Sequence, residues 1–295
     1  MILDGSRHQS ISDSHTQSLS DLRAHLTSKH DCVFQTADIQ HTVLQVVAGQ
    51  PRVLVNMDDD IKNFDMVVFR NASQFGALAA PICLYLGHHQ IPYINGMDGP
   101  AVYIGKIAQM FLFALNGLPV VDSLVVRNPH ALKDYLPNFV AGQDMIVKDN
   151  DGIKGRRNFL VSADYDLEAF LAERREIYII QPYIVNDGDY RVLFAGTDQP
   201  PLIFKRTKAA DSHLNNTSQG GSAQVVTDFP DAALATARAG AKLFGRELAG
   251  VDILFDNQDN HFILEVNETP AVASGFIPEA KIDLLHRYIS SVLEA

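Results

Sequence analysis

The sequence predicts an α/β protein whose first third is a parallel, doubly wound unit. Two patterns support this. Short apolar strands alternate with helical segments over residues 1–100, and strands linked through helices pair in parallel. From residue 101 the order changes to a long helix, paired strands and a closing hairpin, so the rest is a mixed α+β arrangement.

Taken in order, residues 1–4 form a short first strand, and 18–28 carry Leu19, Leu22 and Leu26 at helical spacing. Residues 31–35 read as a strand, 39–47 as a helix and 52–56 (RVLVN) as a strand. The aspartates at 58–60 read as an exposed acidic turn. DMVVFR (65–70) is a buried strand, followed by a helix at 76–87 and a short strand at 92–95. Residues 102–116 form an amphipathic helix stopped by Gly117, and an extended stretch follows. MIVKD (145–149) and IYIIQPYIV (177–185) are strands, with a helix at 167–174 between them. Residues 190–206 are a two-strand meander, and 207–222 are polar and rich in Gly, Ser and Asn. A helix at 231–244 closes on Gly245. VDILFD and HFILEVN are strands joined by the turn 257–260, and a helix at 282–293 follows.

With 295 residues, 46% of them apolar and 20% charged, the chain can build one large domain or two to three small ones around a cleft. The net charge of −11 excludes the broad cationic face that sequence-independent nucleic-acid binding needs. It leaves room for a nucleotide, whose phosphates need only a few local cations. Cys32 and Cys83 are far apart and read as buried apolar cysteines of a reducing compartment. The first residues lack the cationic start and apolar run of a signal peptide, and no apolar stretch is long enough to span a bilayer. The cytoplasm is therefore the expected location, with no membrane partner.

Four segments carry chemistry. In GVDILFDNQDNHFILEVNETP (250–270), Glu265 and Asn267 are two apart and share a sheet face, and Asp252 can face them from the paired strand. Two carboxylates and an amide are an oxygen set suited to Mg²⁺. A solvated acidic hairpin is the other meaning of such residues, but Asp252 and Glu265 interrupt apolar runs instead of flanking them. In MIVKDNDGIKGRRNFLV (145–161), Lys148 closes an apolar run, and Gly152 and Gly155 free a loop carrying Lys154, Arg156 and Arg157 to wrap phosphates. A basic hairpin tip is equally compatible with that loop. IYIIQPYIVNDGDYR (177–191) places Pro182 where the chain must leave the sheet, freeing backbone groups to read an adenine edge, with Asp187 and Asp189 within reach of a ribose. FKRTKAADSHLNNTSQGGSAQ (204–224) joins Lys205 and Arg206 to an amide-rich loop; with Arg191 they can form a cationic patch, or the loop is simply surface.

The order of Lys106, Lys148 with its glycine-bearing loop, QPYI, DYR, the KR strand, NNTSQGG, GVDIL and EVNETP resembles the ATP-grasp superfamily, specifically RimK-like α-L-glutamate ligases and prokaryotic glutathione synthetases. The resemblance runs from about residue 65 to the end. It implies an N-terminal pre-ATP-grasp unit (1–100), then a central (101–184) and a C-terminal (185–295) subdomain that clamp ATP between them. Lys106 and Lys148 then resemble the phosphate-binding lysines, and Gln181, Tyr183 and Ile184 the adenine hinge. Asp189 resembles the ribose acid, with Asp187 competing. Arg191 and Arg206 resemble stabilisers of the phosphate or acyl phosphate, and Asn216 an active-site asparagine. Asp252, Glu265 and Asn267 resemble the ligands of Mg²⁺, with Mn²⁺ as a substitute. Two positions depart from the pattern: Pro182 stands where an acid is usual, and the phosphate loop lacks a proline after the strand lysine.

The implied chemistry joins a carboxylate substrate to an amine, such as an amino acid, at the expense of ATP. Homo-oligomers are common among such ligases. A non-catalytic ATP-binding regulatory protein of the same fold is the competing reading; a pure binder need not keep all three metal positions. A dinucleotide-dependent dehydrogenase is excluded, because GSRHQS follows the first strand in place of G-x-G-x-x-G. Arg70, ending DMVVFR, is a candidate for substrate carboxylate recognition or for a strand-end salt bridge.

Overall fold

The computed structural model describes residues 1–4, 20–24, 27, 33–56, 59–97, 105–127, 139, 142–149, 158–163, 167–172, 177–207 and 222–295. The phosphate loop with Gly152 and Gly155, and the amide-rich loop with Asn216, lie outside the described residues. So does Cys32, whereas Cys83 is a buried free thiol that accepts from the Met97 amide at 3.2 Å.

The first strands are β1 (Ile2–Asp4), β2 (Thr36–Asp38), β3 (Val43–Val47), β4 (Gln50–Val55), β5 (Asp59–Asp60), β6 (Val67–Arg70) and β7 (Tyr93–Ile94). β2, β1, β6 and β7 pair in that order, all parallel, as the strand–helix alternation predicts. Helix α1 (Gly76–His88) crosses between β6 and β7. Its Ile82 and Leu86 bury against Leu3 and Phe69 on one face of the sheet.

Residues 39–47 correct the sequence reading. Only 39–41 are helical, as a single 3₁₀ turn; β3 then pairs with β4, and β4 with β5, in a separate antiparallel sheet. The β-branched run of VLQVV favours strand over helix. Ala48 and Gly49, both at positive φ (50° and 77°), make the two-residue turn whose twist suits a hairpin. The acidic turn at 58–60 is corrected too. Asp60 is buried, accepting from the Tyr85 hydroxyl (3.0 Å) and Arg52 Nε (3.3 Å), while Asp59 is exposed.

The second sheet holds β8 (Leu124–Val126), β9 (Met145–Asp149), β10 (Asn158–Val161) and β11 (Tyr178–Pro182), antiparallel in the order β10-β9-β11-β8. The helices α2 (Lys106–Leu115) and α3 (Leu167–Ala172) flank it in the chain. Leu167 and Leu171 of α3 cover its core. β11 stops at Pro182, which offers no donor to continue the ladder.

The third sheet holds β12 (Asp189–Ala195), β13 (Leu202–Thr207), β14 (Ser222–Val225), β15 (Leu248–Phe255) and β16 (His261–Asn267), in the order β14-β13-β12-β15-β16. Helices α4 (Asp231–Phe244) and α5 (Pro278–Leu293) pack on opposite faces. Val192, Phe194 and Val251 point to α4, and Phe113 of α2 joins that core. α2 thus packs with the third sheet, although its place in the chain is beside the second. Leu193, Ala195 and Leu248 point the other way, under α5 and the N-terminal sheet, against Ile2, Val68 and Leu285. Along β12 and β15 that second face changes from apolar to charged, and the charged half lies toward the second sheet. Among the described residues no helix is long and apolar enough to cross a membrane.

Candidate active site

Strand register builds one charged rung. Arg191 of β12 pairs with Asp252 of β15, and Asp252 pairs with Glu265 of β16, so three ionic side chains cross three strands on one face. Arg206 joins from β13, whose register sets it beside Asp189. Asp252 is 5% exposed and receives both guanidiniums: Arg191 through Nε and Nη2, the latter at 2.9 Å, and Arg206 through Nη2 at 2.9 Å. Arg206 also holds Asp189 in two bonds of 2.7 Å.

The two aspartates separate in acidity. Burial pushes Asp189 up to about 6 against the pull of Arg206. Asp252 stays below the usual carboxylate range despite its burial, because two guanidiniums face it. Asn267 lies two residues beyond Glu265; its amide nitrogen donates to Glu265 Oε1 at 3.0 Å and to Gly250 O at 3.4 Å. Gly250 is small for a reason. A Cβ there would come within 2.9 Å of Arg191 Nη1 and 3.2 Å of the Pro270 ring.

A register shift in β16 aims these groups. Asp252 pairs with Glu265, but Ile253 pairs with Ile263, so Leu264 is an extra, bulged residue. Ile263 and Val266 then both reach the α4 core, leaving Leu264 and Glu265 on the site side.

Above the rung, Lys148 of β9 is half-buried, and the loss of solvation lowers its pKa; Glu265 and Asp189 pull it back up and Lys106 pushes it further down. Those effects place Lys148 among Glu265, Asp189 and Lys106. Lys106 opens α2, a position where the helix dipole disfavours a cation and favours an anion beside it. Gln109, one turn on, fixes that helix to β16. Its Oε1 accepts from the Val266 amide at 2.8 Å and its Nε2 donates to Val266 O at 3.3 Å.

Between the second and third sheets lies a cavity of about 120 Å³. Ile146, Lys148, Asn158 and Gln181 line it from one sheet, and Asp189, Leu254 and Leu264 from the other. Aliphatic side chains on two opposed walls suit a flat ring. Tyr183 and Ile184 border the opening. The Tyr183 amide donates to Asp144 O at 2.8 Å, and Ile184 O accepts from Asn186 Nδ2 at 2.8 Å. Gln181 Nε2 donates to Ser123 Oγ at 2.8 Å. Asp187, by contrast, is exposed and paired with Lys205 at 2.6 Å.

The structure therefore brings together Lys106, Lys148, Asp189, Arg191, Arg206, Asp252, Glu265 and Asn267, with Gln181, Tyr183 and Ile184 at the adjoining cavity. Glu265 and Asp252 beside the Asn267 amide form a hard oxygen set that matches Mg²⁺ in chemistry. Among the described residues no three His, Cys, Asp or Glu side chains gather as a metal cluster. Sequence reasoning missed Gln109, Asn158 and Leu264. A polar residue on the buried side of an amphipathic helix was the available signal for Gln109; a bulge gives none.

Comparison with known proteins follows from this geometry. A family model for the RimK-like ATP-grasp domain matches residues 105–292. A probable alpha-L-glutamate ligase 2 of Shewanella frigidimarina is 27% identical over 219 residues, 72% of each chain. A probable alpha-L-glutamate ligase of Methanococcoides burtonii is 23% identical over 244 residues, 81% of this chain and 79% of that one. Among solved structures, the ATP-grasp ligase PsnB complexed with a minimal precursor, Mg and ADP superposes with a TM-score of 0.70 at 20% identity, covering 97% of this chain and 96% of that one. A D-alanine–D-alanine ligase from Bacillus anthracis complexed with ATP gives 0.63 at 15% identity, covering 99% and 95%.

Proposed function

The chain belongs to the RimK-like ATP-grasp family of ligases, and from that premise we propose that it is a cytoplasmic ATP- and Mg²⁺-dependent carboxylate–amine ligase. It forms a peptide or isopeptide bond by adding an amino acid, such as glutamate, to a small molecule, peptide or protein. The observation that carries the reading is the Arg191–Asp252–Glu265 rung facing Lys148. Four cations (Lys106, Lys148, Arg191, Arg206) face three carboxylates (Asp189, Asp252, Glu265) there, and an excess of cations is what steadies the charge of a transferring phosphoryl group.

Three units, 1–100, 101–184 and 185–295, divide the work, a division that the separate sheets support. The purine lies between the aliphatic walls, and Asp189 meets the ribose in preference to the exposed Asp187. Lys106 and Lys148 hold the phosphates, and Gly152 and Gly155 close over them. Asp252, Glu265 and Asn267 would hold Mg²⁺, which when bound would neutralise phosphate charge. Arg191 and Arg206 turn from Asp252 to the transferring phosphoryl oxygens, and Asn216 corresponds to the asparagine that often faces the active site in this family. The substrate carboxylate attacks the γ-phosphorus, giving an acyl phosphate and ADP; the amine then attacks the acyl carbon and phosphate leaves. No side-chain nucleophile is needed.

ADP release from Mg-ATP, measured over amino acids and short acidic peptides with and without an amine, tests this reading. Release should require both partners, and Glu265→Gln should abolish it while the circular dichroism spectrum is kept. Near-normal turnover in that variant would sink the metal assignment. ATP binding with no release under any pairing favours the regulatory binder.

A further inference from the structure

Lys281 stands where a cation is disfavoured on three counts. It is 4% exposed, and it lies in the first turn of α5, whose dipole opposes positive charge. The charged neighbour that acts on it is a second cation, Arg191. Its Nζ donates to two backbone carbonyls, Ala271 O at 2.7 Å and Ser274 O at 2.5 Å. A methionine would fill the same space without a buried charge, so packing alone does not account for a lysine here.

The ammonium ties down the segment that leaves β16 after Asn267. Val272 and Ala273 of that segment are buried in the core under α5. Pro270 and Arg191 Nη1 both close on Gly250 from its Cβ side. Arg191 spends Nε and Nη2 on Asp252, so Nη1 is the side of the guanidinium that Pro270 borders. Arg70, in the field of Asp4, reaches Pro270 O from the other side at 3.4 Å. Downstream, Ile277 sits at φ 42° and ψ 56°, a left-handed conformation that a β-branched residue keeps only where its surroundings hold it. Lys281 holds both ends of that turn: its side chain takes Ala271 and Ser274, and its own amide donates to Ile277 O at 3.3 Å.

We propose that Lys281 is a positioning residue for phosphoryl transfer: its ammonium fixes residues 270–274 so that Pro270 keeps the Arg191 guanidinium aimed along the charged rung. Two effects act together. The hydrogen bonds hold the segment in place, and the positive charge repels Arg191 toward Asp252. A neutral side chain of the same length fills the space and supplies neither. The assignment rests on the ligase reading above, but its first readout needs no turnover.

The test compares the full chain with Lys281→Met and Lys281→Ala. The Arg191 Nε–H resonance, assigned through Arg191→Lys, should shift and exchange faster with water in both variants. Propylammonium, which supplies the missing stem and charge, should return that resonance toward its wild-type position in Lys281→Ala. Tetramethylammonium at the same concentration, which has no proton to donate, should not. Lys281→Met should keep a Tm near that of wild type, because relief of a buried charge opposes the loss of two hydrogen bonds. Once ADP release has identified a substrate pair, Lys281→Met should lower kcat at least about tenfold and leave the KM for ATP within about threefold. An Arg191 Nε–H signal that is the same in wild type and Lys281→Met would overturn the proposal. So would a Tm loss of several degrees with kcat unchanged, which would make Lys281 a strut for α5. Failure of the ligase reading shows separately, as absent ADP release from wild type under every pairing.

Discussion

Single residues at this site have more than one duty, and Asp252 shows it best. Its carboxylate neutralises two guanidiniums before any metal arrives. Asp252→Asn should therefore cost about 3–5 kcal/mol in urea unfolding, because Arg191 and Arg206 are left partly uncompensated. Conversion to Gln of Glu265, which accepts from the Asn267 amide, should cost far less stability. Equal losses would mean that the rung is not the electrostatic unit described. Lys281 gives a pH signature. Burial first, and then the field of Arg191, lower its pKa from 10.5 to about 8. Between those two values the unfolded chain holds a proton that the folded chain has released, so this lysine's contribution to stability rises with pH. Wild type should gain on the order of 1–3 kcal/mol over Lys281→Met as pH goes from 7.5 to 10. A pH-independent difference between the two would refute the shift.

Elements differ in how far the sequence discloses them. The three strands that carry the rung were legible because apolar runs broken by Asp252, Glu265 and Arg191 allow one strand phase each. The helices at 76–88 and 231–244 were legible from their apolar spacing, and the second also from Gly245, whose φ of 65° ends it. The β3–β4 hairpin was hidden. VLQVV also satisfies a helical spacing, and the turn uses Ala48 where Asn or Gly would announce it. Ala48 sits in the left-handed region at φ 50°, a strained choice for alanine. Ala48→Gly should raise stability by about 0.5–1 kcal/mol, measured as a shift in urea midpoint. A loss would mean that the turn strain is relieved elsewhere. Site residues were legible where chemistry demanded a charge in an apolar run. They were not where backbone irregularity or a helix–strand amide contact set the geometry, as with Leu264 and Gln109.

At the scale of the molecule, the N-terminal sheet is tied to the third sheet by a polar latch. Asn95 donates through Nδ2 to Leu248 O (2.8 Å) and Glu268 O (2.9 Å), and its Oδ1 accepts from the Leu248 amide (2.9 Å). Arg246, almost wholly buried, reaches Gly96 O at 2.8 Å and Glu268 at 3.3 Å. The latch and the apolar face of Ile2, Val68 and Leu285 together should make the two sheets unfold as one. Asn95→Ala strands the Leu248 amide and two carbonyls. It should lower stability by about 2–3 kcal/mol and broaden or split the calorimetric transition. A single transition of unchanged sharpness would show that the apolar contact alone couples them. Glu268, which the latch holds, follows Asn267 directly, so the same contacts join the N-terminal sheet to the end of β16 beside the charged rung.

The bulge at Leu264 has a consequence for length variation in this strand. Ile263, Glu265, Val266 and Asn267 without residue 264 would alternate strictly, core and site in turn, and so keep their present sides. Loss of that one codon is a deletion that the sheet can absorb. What goes missing is the Leu264 side chain, part of one wall of the cavity. ATP should then bind more weakly while inorganic tripolyphosphate binds as before, which separates grip on the base from grip on the phosphates; equal weakening of both would show that the bulge also sets Glu265. An in-frame indel can thus do here what a point substitution cannot.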